Sequence, residues 1–115
     1  MSADPKKLRE HRSRMNERIL EEDYLPIKRF FNLDAAAYRG ESLDSRTKHL
    51  MGLAVSAALR CNECIAYHIE EAAREGASRS EIVETLNIAL IIGGSIVIPH
   101  LRFAFEILDE AAPKD

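Results

Sequence analysis

The chain has 115 residues, 46% of them hydrophobic, and this length fits one compact domain covering residues 1–115 with a modest core. Sixteen basic residues against nineteen acidic ones leave a net charge of −3 without a dominant basic cluster, so nucleic acid is not an expected partner. No apolar run approaches the roughly 18 residues of a membrane span, and the polar first residues do not resemble a signal peptide. We therefore expect a cytoplasmic protein without a membrane partner.

The composition predicts an all-α chain, because there are only five Gly and four Pro and many good helix formers. The first helix is expected to start with Asp4 as N-cap and Pro5 at its first position, and to run to about Leu20. It is highly charged with a thin apolar stripe, so we expect it at the domain edge or against another subunit. A second helix is predicted from about Pro26 to Tyr38.

Two further helices are predicted around the middle of the chain. The third follows the N-cap residue Asp44 and reaches about Arg60, and its small residues allow close approach of another helix. The fourth runs from about Asn62 to Glu75, with Gly76 as its C-terminal cap. We expect its polar side to face water and its inward side to bury the cysteines. The predicted inward residues are Cys61, Cys64, Ile65, His68, Ile69 and Ala72, and the predicted outward residues are Glu63, Glu70, Glu71 and Arg74.

The last third of the chain predicts two more helices, which makes about six in total. Ser78 and Glu81 form a capping box at the start of the fifth helix, and its last turns are almost wholly apolar, so we expect it to be central. Gly93 and Gly94 end this helix, and the last one covers residues 95–112.

The residues with evident chemistry lie in the segment 60–68, which reads R-C-N-E-C-I-A-Y-H. On a helix, Cys61, Cys64 and His68 would share one face over two turns. A CxxC pair can form and release a disulfide, and a thiolate is favoured near a helix N-terminus or beside a cationic histidine. This pattern indicates a redox dithiol with an adjacent acid/base group.

Three other interpretations of the cysteine pair stay open on the residues alone. Both cysteines could be small buried hydrophobes in a helical core. A zinc site would need further ligands, which only distant histidines such as His11, His49 and His100 could supply, from this chain or from a symmetry mate. A structural disulfide is a weak alternative, because a bridge over two intervening residues closes too short a loop to constrain the unfolded chain.

The segment L-x-x-L-A-V-S-A-A-L-R-C-N-E-C-I-x-Y-H-x-x-x-A-x-x-x-G-A-S-x-x-E-I resembles the AhpD-like branch of the carboxymuconolactone decarboxylase superfamily. That branch is marked by Glu-x11-Cys-x-x-Cys-x-x-x-His. The resemblance covers Leu43 to about Leu108, and the cysteine pair distinguishes the chain from the true decarboxylases of the superfamily. The chain departs from the motif at one position, where His49 stands in place of the glutamate.

The resemblance implies an oligomeric, AhpD-like bundle that reduces small (alkyl)hydroperoxides in antioxidant defence, without a cofactor or a metal. It implies that Cys64 attacks the peroxide, that Cys61 closes a disulfide with it, and that an external dithiol or thiol protein reduces the pair. His68 would take the proton of Cys64. A competing cue is that Cys61 lies nearer the helix N-terminus, where the dipole favours a thiolate. The implied assembly is a homo-oligomer, a trimer or hexamer.

Two histidines outside the CxxC segment are further candidates. His49 could replace the family glutamate in a proton relay, and as an imidazolium it would make Cys61 more acidic. The resemblance also brings His100 on the last helix near the dithiol. The alternative functions are a non-catalytic oligomeric module that senses redox state or binds zinc, and a cofactor-free carboxymuconolactone decarboxylase, which the cysteines disfavour.

Overall fold

The computed structural model describes residues 4–114. These residues form six α-helices and one short 3-10 helix and contain no β-strand, so the predicted all-α fold is confirmed. No helix among them combines the length and apolarity of a membrane span. The helices are α1 (Pro5–Glu21), α2 (Leu25–Ala37), α3 (Ser45–Ala58), α4 (Asn62–Arg74), α5 (Arg79–Gly93) and α6 (Ile98–Ala111), with the 3-10 helix at Ser95–Val97.

Side-chain caps fix the starts of three helices at the predicted positions. The Asp4 carboxylate accepts a hydrogen bond from the Lys7 backbone N–H, and Asp44 does the same for Thr47. At the start of α5, Ser78 and Glu81 make the two reciprocal bonds of a capping box. Each cap satisfies backbone donors that the first turn of a helix leaves without partners.

A sharp break between α3 and α4 makes these two helices neighbours. Arg60 adopts a left-handed backbone conformation with φ of 63°, and the Cys61 N–H donates to the Ser56 carbonyl at 3.0 Å. The chain therefore reverses directly in front of the cysteines. α4 then packs along α3 and, on its other side, along α6, while α5 packs on α3.

The core lies between α3, α4, α5 and α6. Its largest fully buried side chains are Leu53, Ile65, Ile69, Ile82, Leu86, Ile107, Leu108 and Val97. The prediction that the apolar last turns of α5 make that helix central is wrong. Ile91 and Ile92 are each 75% exposed, because α5 buries only the face that carries Ile82, Leu86 and Ala89.

The first two helices lie outside this core, and neither buries a residue completely. α1 is attached by ion pairs from Arg9 and Arg12 to Glu70 on α4, at 2.5 and 3.3 Å. The prediction that Glu70 points to water is therefore wrong, since its side chain is only 15% exposed beneath these arginines. The end of α2 brings one side chain, Tyr38, into the bundle.

Candidate active site

The two cysteines lie at the junction of α3 and α4, and both are free thiols. Cys61 is the N-cap residue of α4, and its Sγ accepts a hydrogen bond from the Cys64 backbone N–H at 3.4 Å. Cys61 is half-buried and Cys64 is exposed, so the prediction of a buried dithiol is wrong. The physical reason is that the pair stands at the very start of α4, with Cys61 as its N-cap and Cys64 in its first turn. The inward stripe of α4 becomes buried only from Ile65 onward.

The electrostatics of the pair differ between its two sulfurs. The pKa of Cys64 is raised to about 11. The causes are partial loss of hydration, a hydrogen bond with the Cys61 side chain and the negative charge of a Cys61 thiolate. At neutral pH the Cys64 thiol therefore keeps its proton. The Sγ of Cys61, by contrast, receives a backbone N–H of the first turn of α4, where the helix dipole favours negative charge.

His68 is buried one turn beyond Cys64, and both of its ring nitrogens already have partners. Its Nδ1 lies 3.1 Å from Nδ1 of His49, and its Nε2 lies 3.4 Å from the Tyr38 hydroxyl. Burial, followed by the neighbouring His49, lowers the pKa of His68 to about 4. Proton transfer from a thiol of pKa about 11 to this imidazole is strongly unfavourable, which argues against His68 as the direct proton acceptor of Cys64.

His49 and His68 form a buried pair of neutral imidazoles. Burial lowers the pKa of His49 as well, so at neutral pH it carries no charge. The expectation that an imidazolium at position 49 makes Cys61 more acidic is therefore not supported by the structure. Because the contact joins two Nδ1 atoms, one ring must donate and the other accept. The pair can thus pass a proton only if both rings exchange tautomers.

Tyr38 is part of this cluster, and sequence reasoning missed it. Its ring stacks on His49 with a centroid distance of 4.6 Å and an angle of 11°. Burial, Asp34 and Cys64 all raise the pKa of Tyr38, so its hydroxyl keeps its proton near the dithiol. Tyr38 follows α2 and lies before the segment that carries the family resemblance. The sequence indicated Tyr38 only as an aromatic residue with a hydroxyl group at the end of a predicted helix.

Gly52 on α3 allows His68 to occupy its position. A Cβ atom on Gly52 would lie 2.7 Å from Cε1 of the His68 ring. We therefore expect Gly52→Ala to displace the imidazole and to cost about 1–3 kcal/mol of unfolding free energy. Urea unfolding measures this cost. Gly40→Ala is the matched control, because a Cβ at Gly40 would meet atoms no closer than 3.6 Å, and equal stability losses in both variants would contradict the packing argument.

The other two histidines occupy different places. Nδ1 of His100 donates to the Asn62 side-chain oxygen at 2.7 Å, which brings α6 to the first turn of α4 next to Cys61. His11 lies on α1 beside Arg14. Within residues 4–114, no three His, Cys, Asp or Glu side chains are arranged to hold a metal ion. The zinc set considered from sequence is thus not assembled by the described part of one chain.

A polar cavity of about 420 Å³ opens on the far side of the histidine pair. His49 and Tyr38 line it together with Glu71, Arg74 and Glu75. Glu71 and Arg74 form an ion pair at 2.7 Å there. The cavity therefore gives His49 access to a polar opening whose lining includes neither cysteine.

Comparison with known proteins identifies the family. The model of the Carboxymuconolactone decarboxylase family matches residues 27–110, which is most of the chain. The chain belongs to the carboxymuconolactone decarboxylase family. Protein 4 of the cox locus of Paracoccus denitrificans is 33% identical over 81 residues, 70% of this chain and 73% of that protein.

Solved structures of family members share the fold. The crystal structure of TM1620 from Thermotoga maritima is 55% identical and superposes with a TM-score of 0.88 over 91% of this chain and 92% of the other. TM1620 has been described as a carboxymuconolactone decarboxylase family protein with a possible involvement in an antioxidative response. Apo-lpg0406 from Legionella pneumophila, another family member, is 28% identical with a TM-score of 0.80, over 96% and 97% of the two chains. The resemblance that the CxxC segment indicated is thus confirmed.

Proposed function

We propose that this protein is a thiol-dependent peroxidase that reduces small organic hydroperoxides with the Cys61–Cys64 pair. The observation that carries the proposal is the dithiol itself: two free thiols stand at an exposed helix N-terminus, where the Cys64 backbone N–H donates to the Cys61 sulfur, beside a cluster of neutral imidazoles and a phenol. The antioxidative response suggested for TM1620 points in the same direction.

The first step starts from the singly ionised pair, with the thiolate on Cys61. The Cys64 thiol gives its proton to the neighbouring Cys61 sulfur, so that Cys61 becomes the thiol and Cys64 the thiolate. The Cys64 thiolate then attacks the terminal oxygen of the hydroperoxide, and the O–O bond breaks. Cys64 becomes a sulfenic acid and the organic part leaves as an alkoxide, which needs a proton. We assign the attack to Cys64 because it is exposed, whereas Cys61 is half-buried.

The proton for the alkoxide comes through Tyr38. The Tyr38 hydroxyl donates to the alkoxide and is reprotonated from Nε2 of His68, while His49 gives its Nδ1 proton to Nδ1 of His68. His49 takes a new proton on Nε2 from the polar cavity. Each imidazole ends neutral with its tautomer exchanged, which fits two histidines whose pKa values are lowered by burial. His49 thereby fills the position of the family glutamate.

In the second step, the Cys61 thiol attacks the sulfenic sulfur of Cys64. The S–O bond breaks, and the hydroxide leaves as water with the proton of Cys61, so that a disulfide remains. An external dithiol, in our proposal from a cytoplasmic thiol protein, reduces this disulfide by two successive exchanges. One hydroperoxide and one dithiol thus give one alcohol, one water and one oxidised dithiol.

We also propose that the protein assembles as a homo-oligomer, a trimer or hexamer. The support is the exposed apolar surface of α5, of the 3-10 helix and of the first residue of α6, formed by Ile88, Ile91, Ile92, Ile96 and Ile98. Burial of such a surface between copies would remove it from water. Light scattering at micromolar concentration should report more than one chain per particle, and a monomer would refute this part of the proposal.

The test of the function is steady-state turnover. The reduced protein, supplied with dithiothreitol, should consume tert-butyl hydroperoxide many times over its own amount, above the rate without protein. A redox-sensing or zinc-binding module would show bound zinc or a single oxidation event without turnover. A cofactor-free decarboxylase would keep its full decarboxylase activity after both thiols are alkylated.

A further inference from the structure

We infer that His100 on α6 is a positioning residue for the Cys61–Cys64 pair and that it makes the reduction potential of their disulfide more negative. This inference rests on the proposed function and deepens it, because it assigns what sets the redox equilibrium of the pair. Nδ1 of His100 donates to the side-chain oxygen of Asn62 at 2.7 Å, and Asn62 directly follows Cys61 in the chain. This hydrogen bond, the α6 anchor, ties α6 to the first turn of α4.

The first turn of α4 has a weak cap and little packing. Its cap atom is the Cys61 sulfur, which accepts the Cys64 N–H at 3.4 Å, whereas α1, α3 and α5 are capped by side-chain oxygens. Sulfur is a poor hydrogen-bond acceptor and therefore stabilises a helix start less than those oxygens do. Asn62, Glu63 and Cys64 are all exposed, so burial does not hold this turn either. The α6 anchor supplies a contact from another helix at this point.

The other end of the α6 anchor is firmly held in the fold. His100 lies in the first turn of α6, directly after Pro99, whose ring restricts the backbone. Val97, immediately before this helix, is completely buried, and α6 packs along α4. The anchor therefore joins a weakly capped turn to a well-held one. Fraying of the first turn of α4 would have to break it.

The conformation of this turn controls how easily the disulfide closes. In the helical turn the Cys61 sulfur already lies 3.4 Å from the backbone nitrogen of Cys64, so the two cysteines are held close together. When the turn frays, the two thiols separate and their effective concentration falls. The α6 anchor stabilises the helical turn in the dithiol and in the disulfide, but it does not stabilise the frayed dithiol. It therefore favours the disulfide, which corresponds to a more negative reduction potential.

The experiment measures the reduction potential of the Cys61–Cys64 disulfide in dithiothreitol and glutathione redox buffers at neutral pH, by alkylation of free thiols and mass spectrometry. His100→Phe keeps a ring and removes the donor, and Asn62→Ala removes the acceptor, so that a folding defect in one variant does not decide the result. His100→Asn keeps an N–H donor close to the position of Nδ1. The matched control is His11→Phe, the same substitution on α1.

One hydrogen bond of this kind changes an equilibrium constant by about fivefold, and some molecules keep the turn helical without it. We therefore expect His100→Phe and Asn62→Ala each to lower the equilibrium constant for disulfide formation about threefold, which makes the potential about 15 mV more positive. The double variant should match either single variant, because both substitutions remove the same contact. His100→Asn should recover most of the shift, and His11→Phe should keep the wild-type potential.

Wild-type potentials in both single variants would overturn the inference. A double variant whose shift equals the sum of the two single shifts would overturn it too, because His100 and Asn62 would then act independently. If wild type forms no Cys61–Cys64 disulfide in any of these buffers, the proposed function itself fails. That result differs from a disulfide that forms normally and whose potential the variants leave unchanged.

Discussion

Cys64→Ser is expected to abolish hydroperoxide reduction, with kcat/KM falling by about a thousandfold or more. A serine hydroxyl ionises far less readily than a thiol and cannot form a sulfenic acid, so the first step has no substitute nucleophile. Both sulfurs are on or near the surface, so we expect the fold to remain intact. Peroxide consumption by the purified, reduced variant measures the loss.

Cys61→Ser should behave differently, and this difference is the control for the assignment. It should consume one equivalent of hydroperoxide and then stop, with a sulfenic acid on Cys64 that dimedone can trap and mass spectrometry can locate. Because Cys61 raises the pKa of Cys64 through a hydrogen bond and through its charge, its removal should also speed alkylation of Cys64 at neutral pH. A trapped sulfenic acid on Cys61 in Cys64→Ser, with none in Cys61→Ser, would reverse the two roles.

His49→Phe is expected to lower kcat by about a hundredfold, because it removes the first donor of the proton relay. The phenyl ring keeps the stacking contact with Tyr38 but loses Nδ1, which lies 3.1 Å from His68. His49→Glu restores the carboxylate of the family motif and should retain more activity than the phenylalanine variant. Turnover as a function of pH is the measurement.

The pH profile separates a relay from simple packing. Since burial holds the pKa of His68 at about 4 and lowers that of His49, wild-type turnover should show no titration near pH 6.5. Tyr67→Phe is the control, because Tyr67 meets both histidines edge-on and keeps its ring in this variant. Equal kcat values and profiles for wild type, His49→Phe and Tyr67→Phe would remove His49 from the chemistry.

The local signals in the sequence predicted the helices well. Three N-caps contact residues three positions further along the chain, so the helix starts can be recognised without knowledge of the fold. They are Asp4, Asp44 and the Ser78–Glu81 capping box. The boundary predicted between Arg60 and Asn62 coincides with the left-handed backbone at Arg60. These features depend on neighbours in the chain, which is why the sequence was sufficient for them.

The exposure of the cysteines and of α5 depended on packing that no short pattern specifies. Helical periodicity placed both cysteines on the inward stripe, but they lie at the N-cap and in the first turn of α4, and the stripe is buried only from Ile65 onward. Ile91 and Ile92 looked like core residues, yet only one face of α5 meets α3. In both cases burial depended on which neighbouring helix packs against the residue, and helical periodicity does not specify that.

The candidate site shows the same limit. His68 was singled out because of its spacing from Cys64, but its contacts are to His49, nineteen residues earlier, and to Tyr38, thirty residues earlier. The small residues of α3 were expected only to allow close helix packing, although the missing side chain of Gly52 makes room for the imidazole. Contacts between helices set these relations, so the spacing within one helix could not predict them.

The most direct test of the central claim is a single-turnover stoichiometry under anaerobic conditions. Fully reduced protein is mixed with one equivalent of cumene hydroperoxide, and free thiols, the Cys61–Cys64 disulfide and the cumyl alcohol are quantified together. The account predicts the loss of two thiols and the appearance of one disulfide within each chain for every alcohol formed. Alcohol formed with both thiols intact, or hydroperoxide left unreacted by the reduced dithiol, would contradict it.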